Sequence, residues 1–162
     1  MAPRTPTPAA TENWLRLDHQ LCFALYASSL AMTRLYKPLL DPLGLTYPQY
    51  LVMLVLWEGD GVTVGQVGER LNLDSGTLTP LLKRLQALGL LQRTRDAADE
   101  RRVLLQLTTA GRSLRAQALA VPQAIACATT CDLQQIGQLA GQLKQLRQQL
   151  TQSLKASGQT GA

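Results

Sequence analysis

The chain has 162 residues, 46% of them hydrophobic, which is enough for one core of ordinary size. Leu occurs 33 times whereas Val and Ile together occur nine times, and this excess of unbranched side chains favours helices. The sequence has no apolar run of about 18 residues and no basic start followed by an apolar stretch. We therefore expect neither a membrane span nor export, and we predict a cytoplasmic protein. The net charge of +5 permits a polyanionic partner.

The first part of the chain is predicted to hold two apolar helices after a flexible lead. Residues 1–13 contain three Pro and should be flexible. Within residues 14–61, apolar residues at helical spacing predict a first helix from Leu17 to Pro38. Thr46 followed by Pro48 predicts the start of a second helix, which the turn after Glu58 ends.

Residues 62–110 combine two short helices with a hairpin. Thr63 and Ser75 open helices that a tight turn separates, and Gly89 ends the second helix. Two strand-like runs, 91–95 and 102–107, flank a polar loop and predict a β-hairpin directly afterwards. This order is that of a winged helix-turn-helix. Six basic residues lie within residues 75–102 against three acidic ones, and they are Lys83, Arg84, Arg93, Arg95, Arg101 and Arg102.

Residues 111–156 are predicted to form C-terminal helices, followed by a flexible end at 157–162. One helix begins after Thr108 and reaches about residue 130, with a kink expected at Pro122. In the last helix, apolar residues recur at spacings of three and four from Ile136 to Leu150. Such a seam favours a partner helix, and with the apolar first helix it predicts a homodimer. The fold class is mostly α with a small β-hairpin wing.

Three segments resemble a known family. Residues 99–111 (DERRVLLQLTTAG) resemble the wing signature of the multiple antibiotic resistance regulator (MarR) family of winged-helix repressors. Residues 73–85 (LDSGTLTPLLKRL) are similar to the recognition helix of its organic hydroperoxide resistance regulator (OhrR) branch. Residues 17–26 (LDHQLCFALY) resemble the peroxide-sensing segment of that branch. The resemblance covers about residues 14–152.

The resemblance implies a homodimeric repressor that is not an enzyme and needs no cofactor. Organic hydroperoxide would oxidise Cys22, and Cys127 of the other subunit would resolve it as in the two-cysteine subtype. Tyr36 and Tyr47 would hydrogen-bond the thiol, with Tyr26 one turn beyond it. Residues 14–61 would serve dimerisation and sensing, 62–110 DNA binding, and 111–156 dimerisation. No family role is assigned to Cys131.

The residues themselves support a reactive thiol and leave alternatives. Cys22 near the start of a helix would have its anion favoured by free amide dipoles, although many free Cys are only small buried hydrophobes. The resemblance, more than the spacing of apolar neighbours, implies a preference for an organic over an inorganic peroxide, with Phe23 and Met32 in the peroxide pocket. Cys127 and Cys131, four residues apart, would also suit a metal pair.

The same region predicts how double-stranded operator DNA would be bound. The start of the second short helix should enter the major groove, and it carries Ser75, Gly76, Thr77 and Thr79. Lys83, Arg84, Arg93 and Arg95 suit phosphates. Arg101 at the wing tip would enter a narrow minor groove, with Asp99 holding its guanidinium.

Three other functions remain open from the sequence. A purely helical scaffold would show no salt-sensitive affinity for DNA. A MarR-type regulator could respond to a small phenolic ligand, with the Cys incidental. A Cys-based hydroperoxide reductase would leave the wing and its basic residues without a role.

Overall fold

The computed structural model describes residues 13–97, 99, 101–129 and 132–159. Most of the predicted lead and the last three residues lie outside this range, as does Cys131. The backbone divides into two compact units, one up to Val121 and one from Pro122 onward.

The first unit consists of helices and one small sheet. Two 3-10 turns, Asn13–Leu15 and Leu17–His19, precede the first α-helix. The helices are α1 (Leu21–Leu40), α2 (Tyr47–Glu58), α3 (Val64–Leu71), α4 (Ser75–Ala87) and α5 (Thr109–Ala118). The strands are β1 (Val62–Thr63), β2 (Leu91–Arg95) and β3 (Val103–Leu107).

The first helix begins later than its apolar spacing predicts. Gln20 has extended backbone (φ −85°, ψ 112°), which separates the turn Leu17–His19 from α1. Cys22 is therefore the second residue of the helix and not a full turn inside it. Its backbone amide belongs to the first turn, whose amides have no carbonyl partner within the helix.

The core of the first unit gathers around α2 and the helix-turn-helix. Val52, Met53 and Leu56 of α2 are almost fully buried, and so is Val67 of α3. The apolar side of α4 is buried at spacings of four and three, and its members are Leu78, Leu82 and Leu85. The predicted winged helix-turn-helix is confirmed.

Side-chain caps fix where the helices begin. Thr46 and Gln49 form a capping box at α2, and Thr63 and Gln66 form one at α3. In the turn between α3 and α4, Asn72 has a left-handed backbone (φ 55°), which ends α3 and lets the chain change direction within three residues.

The wing is a three-stranded antiparallel sheet with the order β1-β3-β2. Leu91 pairs with Leu107 and Arg95 pairs with Val103, which confirms the hairpin. Strand β1 is not predicted by the sequence, because two residues are too few to show a period of two. It pairs Val62 with Leu105 and thereby attaches the hairpin to the start of α3.

The C-terminal helices break earlier than Pro122. α5 ends at Ala118, and α6 (Ala120–Thr129) begins after Leu119. In a continuous helix the Pro122 ring would clash with the carbonyl of Ala118, four residues earlier, so the interruption predicted at Pro122 occurs one turn before it, between α5 and α6. The last helix, α7 (Leu133–Gln159), extends into the end predicted to be flexible.

The described residues contain no single helix that is long and apolar enough to cross a membrane. Within the described ranges, the one pair of helices with the length and apolar composition of a span is α1, with its following 3-10 turn, and α2, and this pair is bent by 68°.

Candidate functional site

The N-terminus of α4 is fixed by Asp74. The backbone amide of Thr77 donates to Asp74 Oδ1 at 2.8 Å, and the Thr77 hydroxyl lies 3.1 Å from Oδ2. These two bonds lower the pKa of the Asp74 carboxyl below its ordinary value. The carboxylate therefore stays ionised and keeps the first turn of α4 in place at neutral pH.

The predicted DNA-contacting residues of α4 lie on its solvent side. They flank or oppose the buried stripe of Leu side chains, so the helix can approach a surface without exposing its core. Ser75, Gly76, Thr77, Lys83 and Arg84 are exposed, and Thr79 is half-buried.

The tip of the wing is held by Asp99. Its Oδ2 lies 3.3 Å from Arg102 Nε, and its Oδ1 accepts a hydrogen bond of 3.1 Å from the backbone amide of Arg101. The prediction that Asp99 holds the Arg101 guanidinium is therefore wrong. Asp99 instead fixes the backbone of the turn, and the Arg101 side chain is exposed.

Arginines of the wing face the beginning of α3 across an open cavity of about 600 Å³. Arg93, Arg101 and Arg102 line it together with residues 63–66 and Glu69. The Arg93 Nε atom is buried and has no hydrogen-bond partner among the described residues. Arg95 is exposed on the same strand. The arrangement offers positive charge and an unused donor to an anion.

The end of the wing is locked to α5 by contacts that the sequence reasoning misses. Asp60 Oδ1 accepts from the Leu107 amide at 2.8 Å, and Asp60 Oδ2 lies 3.0 Å from Arg112 Nη1. Trp57 Nε1 donates to the Gly111 carbonyl at 2.9 Å. The orientation of the wing is therefore tied to the start of α5.

Both described cysteines are free and exposed thiols. Around Cys22, Phe23 is 36% exposed and Tyr26 is 62% exposed, whereas Met32 is half-buried. Phe23 and Tyr26 therefore form an exposed aromatic surface beside Cys22, whereas Met32 lies ten positions further along α1, about 15 Å away.

Tyr36 lies far from Cys22 in the same chain. The fourteen positions between them correspond to about 21 Å along the helix, which neither side chain can bridge. Among the described residues, no hydrogen bond joins Cys22 to Tyr36 or Tyr47.

The two tyrosines instead form an aromatic cluster between α1 and α2. The ring centroids of Tyr36 and Tyr47 are 4.6 Å apart, and Tyr50, which the sequence reasoning did not single out, lies 5.9 Å from Tyr36. Burial, followed by repulsion from Tyr47 and Tyr50, raises the pKa of Tyr36 to about 12. Burial also raises the pKa of Tyr47. Both hydroxyls therefore keep their protons and can donate hydrogen bonds.

A metal site has no support in the described part of the chain, where no group of three His, Cys, Asp or Glu side chains could hold an ion. The alternative of a Cys127–Cys131 pair involves a residue outside that part.

Comparison with known proteins identifies the family. The model for the transcriptional regulator SarA/Rot family matches residues 34–117. The organic hydroperoxide resistance transcriptional regulator of Bacillus subtilis (strain 168) is 55% identical over 111 residues, which cover 68% of this chain and 76% of the relative. This chain belongs to the OhrR branch of the MarR family.

Solved structures of MarR-type regulators share the fold. AbfR of Staphylococcus epidermidis, reduced and bound to DNA, has a TM-score of 0.70 and 35% identity, covering 87% of this chain and 99% of AbfR. A disulfide form of AbfR has a TM-score of 0.59 and 38% identity, and the match covers 86% of this chain and 98% of AbfR. A mutant of MarR from E. coli in complex with operator DNA has a TM-score of 0.70 and 25% identity, and the match covers 78% of this chain and 92% of MarR. This OhrR-type protein is a DNA-binding transcriptional regulator.

Proposed function

We propose that the protein is a homodimeric, cytoplasmic repressor that releases operator DNA when an organic hydroperoxide oxidises Cys22. The observation that carries the proposal is the exposed Cys22 thiol in the first turn of α1, within an exposed apolar surface. The relative AbfR has been solved both reduced on DNA and in a disulfide form. A thiol switch is the chemistry that connects two such states.

A second copy of the chain would complete the thiol site. Because Cys22 and Tyr36 lie about 21 Å apart on one helix, the Tyr hydroxyls can reach the thiol only from another chain. A two-fold axis near residue 29 would pair α1 with its antiparallel copy and bring Cys22 of one protomer opposite Tyr36 of the other. Leu17, Leu21 and Leu30 are exposed along this segment, as are Leu139 and Leu143 of α7. Burial of these side chains would stabilise the dimer.

The thiolate would be favoured by its surroundings. The first amides of α1 have no carbonyl partner within the helix, and their dipoles favour an anion at the second helical residue. Tyr36 and Tyr47 keep their hydroxyl protons because burial raises their pKa values. Each hydroxyl would donate a hydrogen bond to the thiolate and so stabilise the ionised form, which is the nucleophile that attacks the peroxide.

The reaction balances with the hydroperoxide as the oxidant. The Cys22 thiolate attacks the outer peroxide oxygen, the O–O bond breaks, and the alkoxide leaves as an alcohol after taking a proton. Cys22 is then a sulfenic acid. The thiol of Cys127 from the other protomer attacks its sulfur, which forms a disulfide and releases water. The bridged Cα atoms must come within about 7 Å, so helix movement would accompany the step and separate the wings from DNA.

The reduced dimer would bind DNA through α4 and the wing. The solvent side of α4 would enter the major groove, and Lys83 and Arg84 would bind phosphates. A phosphate near Arg93 would satisfy its unused Nε donor. Arg101, exposed at the wing tip, would enter the minor groove.

Non-reducing electrophoresis after treatment with cumene hydroperoxide tests the covalent step. Wild type and Cys131→Ser should give a disulfide-linked dimer that dithiothreitol reduces to monomers on the gel. Cys22→Ser and Cys127→Ser should give no linked dimer. A crosslink in Cys127→Ser would transfer the resolving role to Cys131. A crosslink in Cys22→Ser would refute the proposed sensor.

A further inference from the structure

The hydroxyl hydrogens at the start of α4 are already used inside the protein. The Thr79 hydroxyl donates to the Ser75 carbonyl at 2.7 Å, and the Thr77 hydroxyl donates to Asp74 Oδ2 at 3.1 Å. A hydroxyl has only one hydrogen to donate. Thr77 and Thr79 therefore have no hydrogen left for a base, and each keeps a methyl group as its other branch.

In the first two turns of α4, the exposed centre of the same surface is apolar. The side of α4 opposite the buried leucines carries three residues at spacings of four and three, which are Gly76, Pro80 and Lys83. Gly76 has no side chain, and Pro80 presents an exposed ring without an N–H. Of the side chains in the first two turns of α4, all of which are described, only Ser75 keeps an uncommitted hydroxyl hydrogen.

This chemistry suits the thymine edge best. In the major groove guanine offers two acceptors and needs donors, adenine and cytosine present an amino donor that needs an acceptor, and thymine alone presents a methyl group. A surface of methyl groups and a Pro ring with few donors matches the thymine methyl.

We propose that the start of α4 selects its binding site by contacts with thymine methyl groups, with Thr79 and Pro80 as specificity-determining residues. The inference rests on the DNA-binding role of α4 and names what that helix reads. Lys83, one turn further along, would add affinity for phosphates without selecting a base.

Thymine and uracil differ only in this methyl group, so their exchange isolates the contact. The full-length reduced protein is used to select a duplex from a randomised library. The enriched duplex is then prepared with deoxyuridine in place of each thymidine in turn, and its dissociation constant is measured by fluorescence anisotropy. Each contacted methyl should be worth about fourfold in affinity, the factor for burying one methylene-sized group.

Two substitutions at one position separate the methyl from the hydroxyl. Thr79→Ser removes the methyl and keeps the hydroxyl with its bond to Ser75, whereas Thr79→Val keeps a methyl and removes the hydroxyl. Thr79→Ser should lose the fourfold uracil effect at one position of each half-site, and Thr79→Val should retain it. Each variant is compared with itself on two DNAs, so a general loss of stability cancels.

Three results would overturn the inference. They are a wild-type protein with no uracil-sensitive position, a Thr79→Ser protein with the wild-type uracil profile, and a Thr79→Val protein that alone loses the effect. A reduced protein that binds no duplex would instead overturn the DNA-binding function itself.

Discussion

Replacing Gly111 by Ala should break the junction between the wing and α5. A Cβ atom at Gly111 would lie 2.0 Å from the Leu90 carbonyl oxygen and 3.2 Å from Leu107 Cδ2. Ordinary contact begins near 3.4 Å, so backbone would have to move by about 1.4 Å. The Leu90 carbonyl also accepts a 3.1 Å hydrogen bond from the Thr108 amide, and Trp57 donates to the Gly111 carbonyl.

The contacts give the size of the effect. Overpacking against backbone costs about 1–3 kcal/mol, and loss of the two hydrogen bonds costs about 1 kcal/mol each. The better helix propensity of Ala returns about 1 kcal/mol. We expect the free energy of unfolding to fall by about 2–4 kcal/mol, a large part of the stability of an ordinary domain.

Urea unfolding followed by circular dichroism measures this change, at one fixed protomer concentration because association adds to stability. Gly65→Ala is the matched control, since Gly65 also lies in a first helical turn and its Cβ would meet only Thr63 Oγ1 at 3.9 Å. It should be neutral or stabilising by up to about 1 kcal/mol. If both variants unfold at the same urea concentration as wild type, the close approach at Gly111 carries no energy and the reasoning is refuted.

Three further predictions concern the thiol, the wing and the cap of α4. Tyr36→Phe and Tyr47→Phe should each slow sulfenic acid formation on Cys22 by about tenfold, because each removes one hydrogen bond to a charged thiolate. The affinity of the reduced protein for DNA should not change. Dimedone trapping measures the rate of sulfenic acid formation, and an unchanged rate in both variants would contradict the prediction. The logarithm of the DNA binding constant should fall with the logarithm of the salt concentration at a slope near −7 for about eight phosphates. Lys83→Ala, which removes one phosphate contact per subunit, should reduce the slope to about −5, whereas Arg147→Ala, at an exposed position of α7, should not change it. Arg101→Ala should weaken DNA binding without unfolding the protein. Asp74 has a lowered pKa, so its contribution to stability is present above the ordinary value of 3.8 and is lost as pH falls below it. Asp74→Asn still caps α4 but does not titrate, and its melting temperature should fall less than that of wild type between about pH 6 and pH 3.

The parts of the fold that local pattern determines are predictable from the sequence. Thr63 caps α3 and Gly89 follows the end of α4, while α4 begins at Ser75 as predicted although its capping side chain is Asp74. The hairpin follows from two runs of strand-forming residues around a polar loop. Each signal lies within a few residues, so it does not depend on distant contacts.

Contacts between distant segments are not predictable in this way. Strand β1 exists because Val62 pairs with Leu105, and Asp60 binds Leu107 and Arg112 from across the unit. At the wing tip, both Arg101 and Arg102 can reach Asp99 by spacing alone. Only the geometry of the turn decides that Arg102 forms the ion pair.

The candidate thiol site shows the same limit. A helix over this segment already fixes a separation of about 21 Å between Cys22 and Tyr36, yet family likeness places them together. A second chain would reconcile the two statements. The apolar seams of the sequence predict a homodimer, but they do not reveal which residues of the two chains meet.

DNA release by hydroperoxide tests the central proposal most directly. Fluorescence anisotropy follows the full-length protein on the selected duplex before cumene hydroperoxide is added, after it, and again after dithiothreitol. The wild type should leave the DNA on oxidation and return on reduction, whereas Cys22→Ser should stay bound throughout. If Cys22→Ser releases the DNA as the wild type does, or if the oxidised wild type stays bound, Cys22 is not the switch.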